Sequence, residues 1–241
     1  MKGLFLHGVN CTSSIWSQVR EYLAGIDADY VEYPHAVTAV ANCVSDVTNW
    51  VFGEFGSSHY DFVVGHSMGG IIALELVARF NLEFRQIILV DCSLKPANRF
   101  YRNLMTEKHM EEYGGTVMQM IQEETPYYQD GLKQSLKEGF DYTQYLKVLN
   151  QNVYAIYGDR GQKNYPGRVD DLCLDEETLG KIKLLFVENS CHLPMIENPS
   201  ALAGMIPILS MAGWFWNKGD KMRISFEENE KDVIFLIGDF D

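Results

Sequence analysis

The stretch that decides the fold is FVVGHSMGGIIA, residues 62–73. Its first three residues form a short apolar run that predicts a buried strand, and residues 71–80 continue with the apolar spacing of a helix. Between them lies a Gly-x-Ser-x-Gly motif centred on Ser67. A serine on a tight strand-to-helix turn projects its hydroxyl outward, and the flanking glycines permit a close backbone approach. The motif therefore predicts that Ser67 is a nucleophile.

Short apolar runs alternate with longer helical segments on both sides of this motif. Such alternation is typical of a parallel sheet covered by helices. The sequence therefore predicts an α/β fold with a mainly parallel sheet flanked by helices. The predicted strands cover residues 3–6, 30–33, 62–64, 87–90, 153–157 and 184–187, and the clearest predicted helices cover residues 13–23, 38–52, 71–80 and 199–211.

Two further segments have residues that a nucleophilic serine requires. The first predicted strand ends in His-Gly, after which the backbone N–H of Val9 can join that of Met68 in an oxyanion hole. His192 follows the last predicted strand on a loop. Because a serine hydroxyl is a poor nucleophile until an imidazole takes its proton, His192 is the predicted general base.

The order of these segments resembles that of the α/β-hydrolase family. The similarity comprises the Leu-His-Gly start, the Gly-His-Ser-Met-Gly-Gly turn and the closing Cys-His-Leu-Pro-Met-Ile-Glu-Asn-Pro run at 191–199. It covers residues 3 to about 212. The resemblance implies that Ser67 is the nucleophile and His192 the base. It also implies a hydrolase domain over residues 1–212.

Within that domain, the resemblance implies a helical lid over about residues 93–150, where no strand pattern occurs. A lid of this kind shapes the substrate pocket of the family. The remaining residues, 213–241, are predicted to form a C-terminal β-hairpin extension.

The catalytic acid is the point at which the chain departs from the family. The resemblance places an aspartate where this sequence has Gly161. Two candidates remain at this stage, Asp159 on the same loop and Asp91 at the end of the preceding core strand. The acid would orient the imidazole of His192 and stabilise its protonated form.

The C-terminal hairpin is predicted from residues 221–237, in which two runs typical of strands flank a polar turn. We expect it to extend the sheet beside the strand at residues 30–33, which would otherwise be an unpaired edge. The competing interpretations place the hairpin across a homodimer interface or at the opposite edge, beside residues 184–187.

Composition argues against several classes of protein. The 241 residues have a formal net charge of −13, which disfavours nucleic-acid and anionic-membrane partners. Five cysteines without a CxxC pair, and no recognisable signal peptide, predict free thiols and a cytoplasmic location. No metal-ligand cluster or phosphate loop appears in the sequence, so we expect no cofactor and no metal, and the predicted partner is a small-molecule substrate.

The predicted activity is a serine hydrolase that cleaves a small carboxylic ester or thioester through an acyl-enzyme on Ser67. The same fold also supports carbon–carbon bond hydrolysis or lyase chemistry. A third hypothesis, motivated by the missing family aspartate, is a catalytically weak ligand-binding protein.

Overall fold

A six-stranded parallel sheet forms the centre of the protein, which is seen here as a computed structural model describing residues 1–137 and 139–215. The strand order is β2-β1-β3-β4-β5-β6, and every neighbouring pair is parallel. The predicted α/β class and mainly parallel sheet are therefore confirmed. The strands are β1 (Lys2–Leu6), β2 (Asp27–Tyr30), β3 (Phe62–His66), β4 (Gln86–Val90), β5 (Asn152–Gly158) and β6 (Ile182–Val187).

Helices cover both faces of the sheet. Besides short 3₁₀ turns at Ser13–Trp16, Thr125–Tyr127 and Asp170–Leu172, the described residues include the following α-helices. They are α1 (Ser17–Tyr22), α2 (His35–Thr38), α3 (Val44–Phe55), α4 (Met68–Phe80), α5 (Arg99–Arg102), α6 (Glu107–Glu124), α7 (Asp130–Ser135), α8 (Thr143–Leu146), α9 (Glu176–Leu179), α10 (Pro194–Glu197) and α11 (Pro199–Phe215).

The central strands are buried on both faces, as an all-parallel sheet requires. Every residue of β3 and β4 is buried. Side chains alternate between two apolar clusters, so Val63 packs with α3 and α4 while Val64 packs with α1 and α11. This double burial explains why the sequence of β3 reads as a continuous apolar run rather than an alternating one.

The second strand lies earlier in the chain than the sequence predicts. It covers Asp27–Tyr30 rather than residues 30–33, and it is the edge of the sheet in the part of the chain that is described. Its polar residues are held by contacts with neighbouring strands and loops: Asp29 accepts a hydrogen bond from Tyr60 at 2.6 Å and pairs with Lys2 at 2.8 Å. Apolar patterning could not identify this strand, because it is rich in aspartate and lies at an edge of the sheet.

The helix predicted at residues 38–52 is also shifted. The chain forms the short helix α2 first, and α3 then begins at Val44 and ends at Phe55. A capping interaction between Cys43 and Asp46 fixes this start, because the Asp46 carboxylate accepts from the backbone N–H of Cys43. Such caps bind the N–H groups that a first helical turn leaves unpaired.

The segment between β4 and β5 is helical, as expected for residues 93–150, and contains α5, α6, α7 and α8. Its function as a lid remains a prediction. The hairpin predicted at residues 221–237, and most of the extension at 213–241, lie outside the described residues. Among residues 1–137 and 139–215, none of the helices combines the length and the hydropathy of a membrane span.

Candidate active site

Ser67 lies on the tight turn between β3 and α4. Its backbone has φ 51° and ψ −117°, a strained conformation for a residue with a side chain. The turn closes this tightly because its neighbours are glycines: a Cβ on Gly65 would lie 2.3 Å from the carbonyl oxygen of Gly69. A Cβ on Gly69 would lie 2.4 Å from the carbonyl oxygen of Leu6 in β1. The sequence motif thus forms the strand-to-helix turn predicted from it.

His192 lies on the loop between β6 and α10, with 19% of its side chain exposed. Its Nδ1 donates to Oδ1 of Asp91 at 2.9 Å. The loop is fixed by its own backbone, since His192 N donates to the Leu104 carbonyl at 3.1 Å and the His192 carbonyl accepts from His66 Nε2 at 2.9 Å. In the described structure no hydrogen bond joins the Ser67 hydroxyl to His192. Such bonds often form fully only when substrate binds.

Asp91 follows β4 in the left-handed region of the backbone, with φ 42°. Its carboxylate is buried and accepts the Gly158 N–H at 2.9 Å in addition to the bond from His192. Arg160 also donates two bonds to it, from Nη1 to Oδ2 at 2.7 Å and from Nη2 to Oδ1 at 2.8 Å. Burial would raise the pKa of Asp91, but Arg160 and His192 together hold that pKa well below its usual range. Asp91 is therefore a carboxylate at neutral pH.

Asp159, in contrast, makes no hydrogen bond to the His192 ring in the described structure. Its Oδ1 accepts from the backbone N–H of Gly161 at 2.8 Å, and burial raises its pKa. Of the two aspartates left open by the sequence, the structure brings Asp91, and not Asp159, to the imidazole of His192. The Asp91 carboxylate is held in this direction by Gly158 and Arg160, which patterning within its own segment does not reveal.

The two predicted oxyanion donors flank the Ser67 turn. Met68 is the first residue of α4, so its backbone N–H has no acceptor within the helix. Val9 follows the His-Gly turn, which lies directly against the serine: a Cβ on Gly8 would lie 3.1 Å from Cβ of Ser67. Both donors are thus on segments that meet at the nucleophile.

Sequence analysis missed Arg160, which is buried and paired with Asp91. The family resemblance points to an acidic residue after β5, so it gives no reason to expect a functional arginine there. The one signal in the sequence is an arginine two residues after a buried strand, because a guanidinium that is buried there requires a carboxylate partner.

His66, by contrast, supports the histidine loop. Burial lowers the pKa of His66 to about 3, and the proximity of His192 adds to this effect, so its imidazole is neutral. Its Nδ1 is buried without a partner among the described residues. The neutral ring donates from Nε2 to the backbone of the loop, which is a structural contact rather than an acid–base one.

Helix α6, in the segment between β4 and β5, also contacts the loop that carries His192 and the helix after it. His109 of α6 bonds through Nε2 to the Asn189 carbonyl at 3.1 Å, and the Tyr113 hydroxyl donates to the Glu197 carbonyl at 3.2 Å. The start of α6 is therefore part of the framework that positions His192.

One cluster of metal-ligand type occurs within the described ranges, formed by His109, Cys191 and Glu197 with ligand atoms within 4.8 Å of one another. Both ring nitrogens of His109 already bond to the protein, to Thr106 at 2.6 Å and Asn189 at 3.1 Å. Glu197 accepts the backbone N–H of Cys191, the residue before the histidine. These contacts shape the loop, and we assign no metal chemistry to them.

Comparison with known proteins defines the fold. No protein-family profile and no curated protein matches the chain. Among solved structures, the chain is similar to a thermophilic esterase from Thermogutta terrifontis, with a TM-score of 0.68 and 16% identity over 86% of this chain and 88% of that one. It is also similar to a lipase-esterase related protein from Clostridium acetobutylicum, with a TM-score of 0.64 and 16% identity over 86% and 93% of the two chains.

A third similar structure is an N-formylmaleamic acid deformylase from Pseudomonas putida, with a TM-score of 0.63 and 15% identity over 85% of this chain and 91% of that one. At these identities the similarity defines architecture alone. The chain has the α/β-hydrolase fold.

Proposed function

We propose that the protein is a serine hydrolase that cleaves a small carboxylic ester or thioester through an acyl-enzyme on Ser67. The observation that carries the proposal is the 2.9 Å bond between His192 Nδ1 and Asp91 Oδ1, at the same end of the sheet as the strained Ser67 turn. A nucleophile turn, an oriented imidazole and a buried carboxylate are the parts that acyl transfer requires.

In the proposed reaction, Ser67 Oγ attacks the substrate carbonyl while Nε2 of His192 takes the hydroxyl proton. Asp91 holds the imidazole by its Nδ1–H and stabilises the positive charge that forms on the ring. The backbone N–H groups of Val9 and Met68 stabilise the oxyanion.

The tetrahedral intermediate then collapses, and His192 gives its proton to the departing alcohol or thiol. Water repeats the sequence on the acyl-enzyme: His192 accepts a proton from the water as it attacks, and returns a proton to Ser67 when the carboxylic acid leaves. Asp91 stays ionised throughout, in keeping with the lowered pKa of its carboxyl group.

Several findings support this proposal over a catalytically weak ligand-binding protein. The weak-binding alternative rests on the missing family aspartate, whereas Asp91, at the end of another strand, lies 2.9 Å from His192 and can take the place of that acid. The similar structures include proteins named as an esterase, a lipase-esterase related protein and a deformylase. We also propose a small-molecule substrate.

Hydrolysis of p-nitrophenyl acetate and of an acyl thioester, together with labelling by a fluorophosphonate, tests the proposal. We expect turnover, and a labelled peptide that contains Ser67, with both lost in Ser67→Ala. Absence of both turnover and labelling in the unmodified protein would contradict it. A panel that includes β-diketones distinguishes ester cleavage from carbon–carbon bond hydrolysis.

A further inference from the structure

A buried arginine shares the carboxylate that orients the proposed general base. We propose that Arg160 is a positioning residue for this reaction: it fixes the Asp91 carboxylate against His192 and offsets its negative charge. Arg160 thereby sets the pH range over which His192 accepts the serine proton. The inference rests on the proposed serine hydrolase function.

The geometry of the pair is that of a rigid fork. Two guanidinium nitrogens contact the two carboxylate oxygens of Asp91 at 2.7 and 2.8 Å, and the side chains are only 1% and 4% exposed. Bidentate contacts of this kind fix the plane of a carboxylate as well as its position. Oδ1 of Asp91 accepts from both Arg160 and His192, so the arginine fixes the atom that the imidazole contacts.

Arg160 is itself held in place by the surrounding backbone. Nη1 also donates to the Gly158 carbonyl at 2.7 Å, and Nη2 to the Tyr101 carbonyl at 3.3 Å. Its backbone has φ 53°, and its N–H donates to the Ser190 carbonyl at 2.8 Å. A strained backbone and several bonds direct this side chain inward, away from solvent. The residue is thus fixed at both ends.

Arg160 lies on the loop where the resemblance leads us to expect the acid of the family. Arg160 directly precedes Gly161, where the resemblance places the family's aspartate. In this protein the loop after β5 presents a cation instead, and the carboxylate comes from the end of β4. Asp91 and the arginine that contacts it therefore follow two neighbouring strands, β4 and β5.

Other titratable groups around Asp91 and His192 do not replace this cation. They are His66, Cys92, Tyr101, His109, Tyr157, Cys191 and Glu197, and burial raises the pKa of Tyr157. Burial keeps His66 neutral and raises the pKa of the Cys92, Cys191 and Tyr101 groups above their usual values. Burial also raises the pKa of Glu197, the other carboxyl group nearby.

The charge balance gives the direction of the effect. With Arg160 present, the imidazolium of His192 forms beside an ion pair whose net charge is zero. Without the arginine it forms beside an unpaired anion, which stabilises the protonated ring more strongly. Removing the guanidinium charge therefore moves the acidic limb of the activity profile to higher pH.

The test compares Arg160→Met, Arg160→Lys and the exposed control Arg102→Met in the full chain. For Arg160→Met we expect the midpoint of the acidic limb of kcat/KM on p-nitrophenyl acetate to rise by about one pH unit. Arg160→Lys keeps the charge but loses the fork, so kcat falls while the midpoint stays near that of the unmodified protein. Arg102→Met should match the unmodified protein. If kcat/KM of Arg160→Met falls by the same factor at every pH, the inference is overturned, because such a fall indicates a structural role alone.

A second readout does not depend on activity. Proton NMR follows the titration of the His192 ring, assigned by its absence in His192→Gln, and we expect the midpoint to rise in Arg160→Met. If the midpoint rises but the protein neither hydrolyses esters nor reacts with fluorophosphonate, the proposed function fails and the effect of Arg160 stands. If the midpoint is unchanged in an active enzyme, this inference alone fails. Should Arg160→Met not fold, Arg160→Gln must show the same rise, and an unchanged midpoint overturns the inference.

Discussion

Asp91 and His192 are 101 residues apart in the chain and meet at 2.9 Å through Oδ1 and Nδ1. The contact joins the end of β4 to the loop after β6, across β5. Replacement of Asp91 by Asn should lower kcat by about 10⁴-fold, because an amide in this position stabilises the wrong tautomer of His192.

Asp159→Asn is the matched control for this prediction, since it makes the same carboxylate-to-amide change at the other candidate aspartate. We expect its activity to stay within a few-fold of that of the unmodified protein. The reverse pattern in steady-state assays of ester hydrolysis would assign Asp159 as the acid, and two mild variants would exclude both residues.

The Gly69 backbone packs against β1, which makes this position intolerant of any side chain. Gly69→Ala should sharply lower the melting temperature and abolish labelling of Ser67, because its Cβ would lie 2.4 Å from the Leu6 carbonyl oxygen. Gly53→Ala in α3 is the control, since nothing lies within 4 Å of a Cβ there. We expect that control to be neutral or stabilising by about 0.5–1 kcal/mol in thermal unfolding. Equal melting temperatures for the two variants would contradict the tight packing.

The buried His66 makes stability depend on pH. Its pKa is lowered to about 3 in the folded protein, below the unfolded value of 6.5, so the unfolded chain binds more protons between these limits. The free energy of unfolding therefore falls as the pH falls from about 6.5, by up to about 1.4 kcal/mol per pH unit for one such group. Urea unfolding at pH 7, 5.5 and 4.5 measures this slope.

His66→Gln removes the titrating ring and retains an amide N–H that can reach the His192 carbonyl. We expect a shallower dependence of stability on pH for this variant, with some slope left from His7, whose burial lowers its pKa to about 4. Parallel curves for the variant and the unmodified protein would show that His66 is not responsible.

Thr106 caps α6 at the point where that helix contacts the histidine loop. Its hydroxyl accepts from the His109 N–H at 3.5 Å, contacts His109 Nδ1 at 2.6 Å and lies 3.9 Å from the Cys191 sulfur. Thr106→Val should lower the melting temperature by about 2–4 °C, the effect of about 1 kcal/mol in a chain of this size.

The same variant should also lower kcat/KM, because the start of α6 supports the loop on which His192 lies. Thr116→Val, at an exposed position in the same helix, is the control and should leave both quantities unchanged. If both variants keep full activity, α6 has no influence on the position of His192.

The local sequence is sufficient to predict those parts of the site in which a short segment determines its own geometry. The glycines around Ser67 permit one turn, and the loop that carries His192 follows a recognisable apolar strand. The choice between Asp91 and Asp159 could not be made in this way, because it depends on which carboxylate is turned toward a residue on another strand. Gly158, Arg160 and His192 hold the Asp91 carboxylate in that direction, and all three lie outside its own segment.

Arg160 and the second strand could not be predicted from local sequence either, for two different reasons. The arginine is understandable only together with Asp91, a partner 69 residues away. The strand at Asp27–Tyr30 pairs with β1 through its backbone and presents charged side chains at an edge, so it has no apolar signature. Interactions between distant segments determine both features.

The all-parallel pairing of the sheet has a consequence for how the protein acquires its reactivity. In β1, Gly3 is paired with Ala28 of β2 on one side and with Phe62 of β3 on the other. Sheet formation therefore requires contacts between distant parts of the chain. Topologies of this kind fold slowly. Because the proposed site draws on the ends of β1, β3, β4, β5 and β6, it cannot exist before those strands have assembled. Fluorophosphonate added at successive times during refolding would therefore label only molecules that have finished folding, which makes Ser67 a kinetic reporter of the native state.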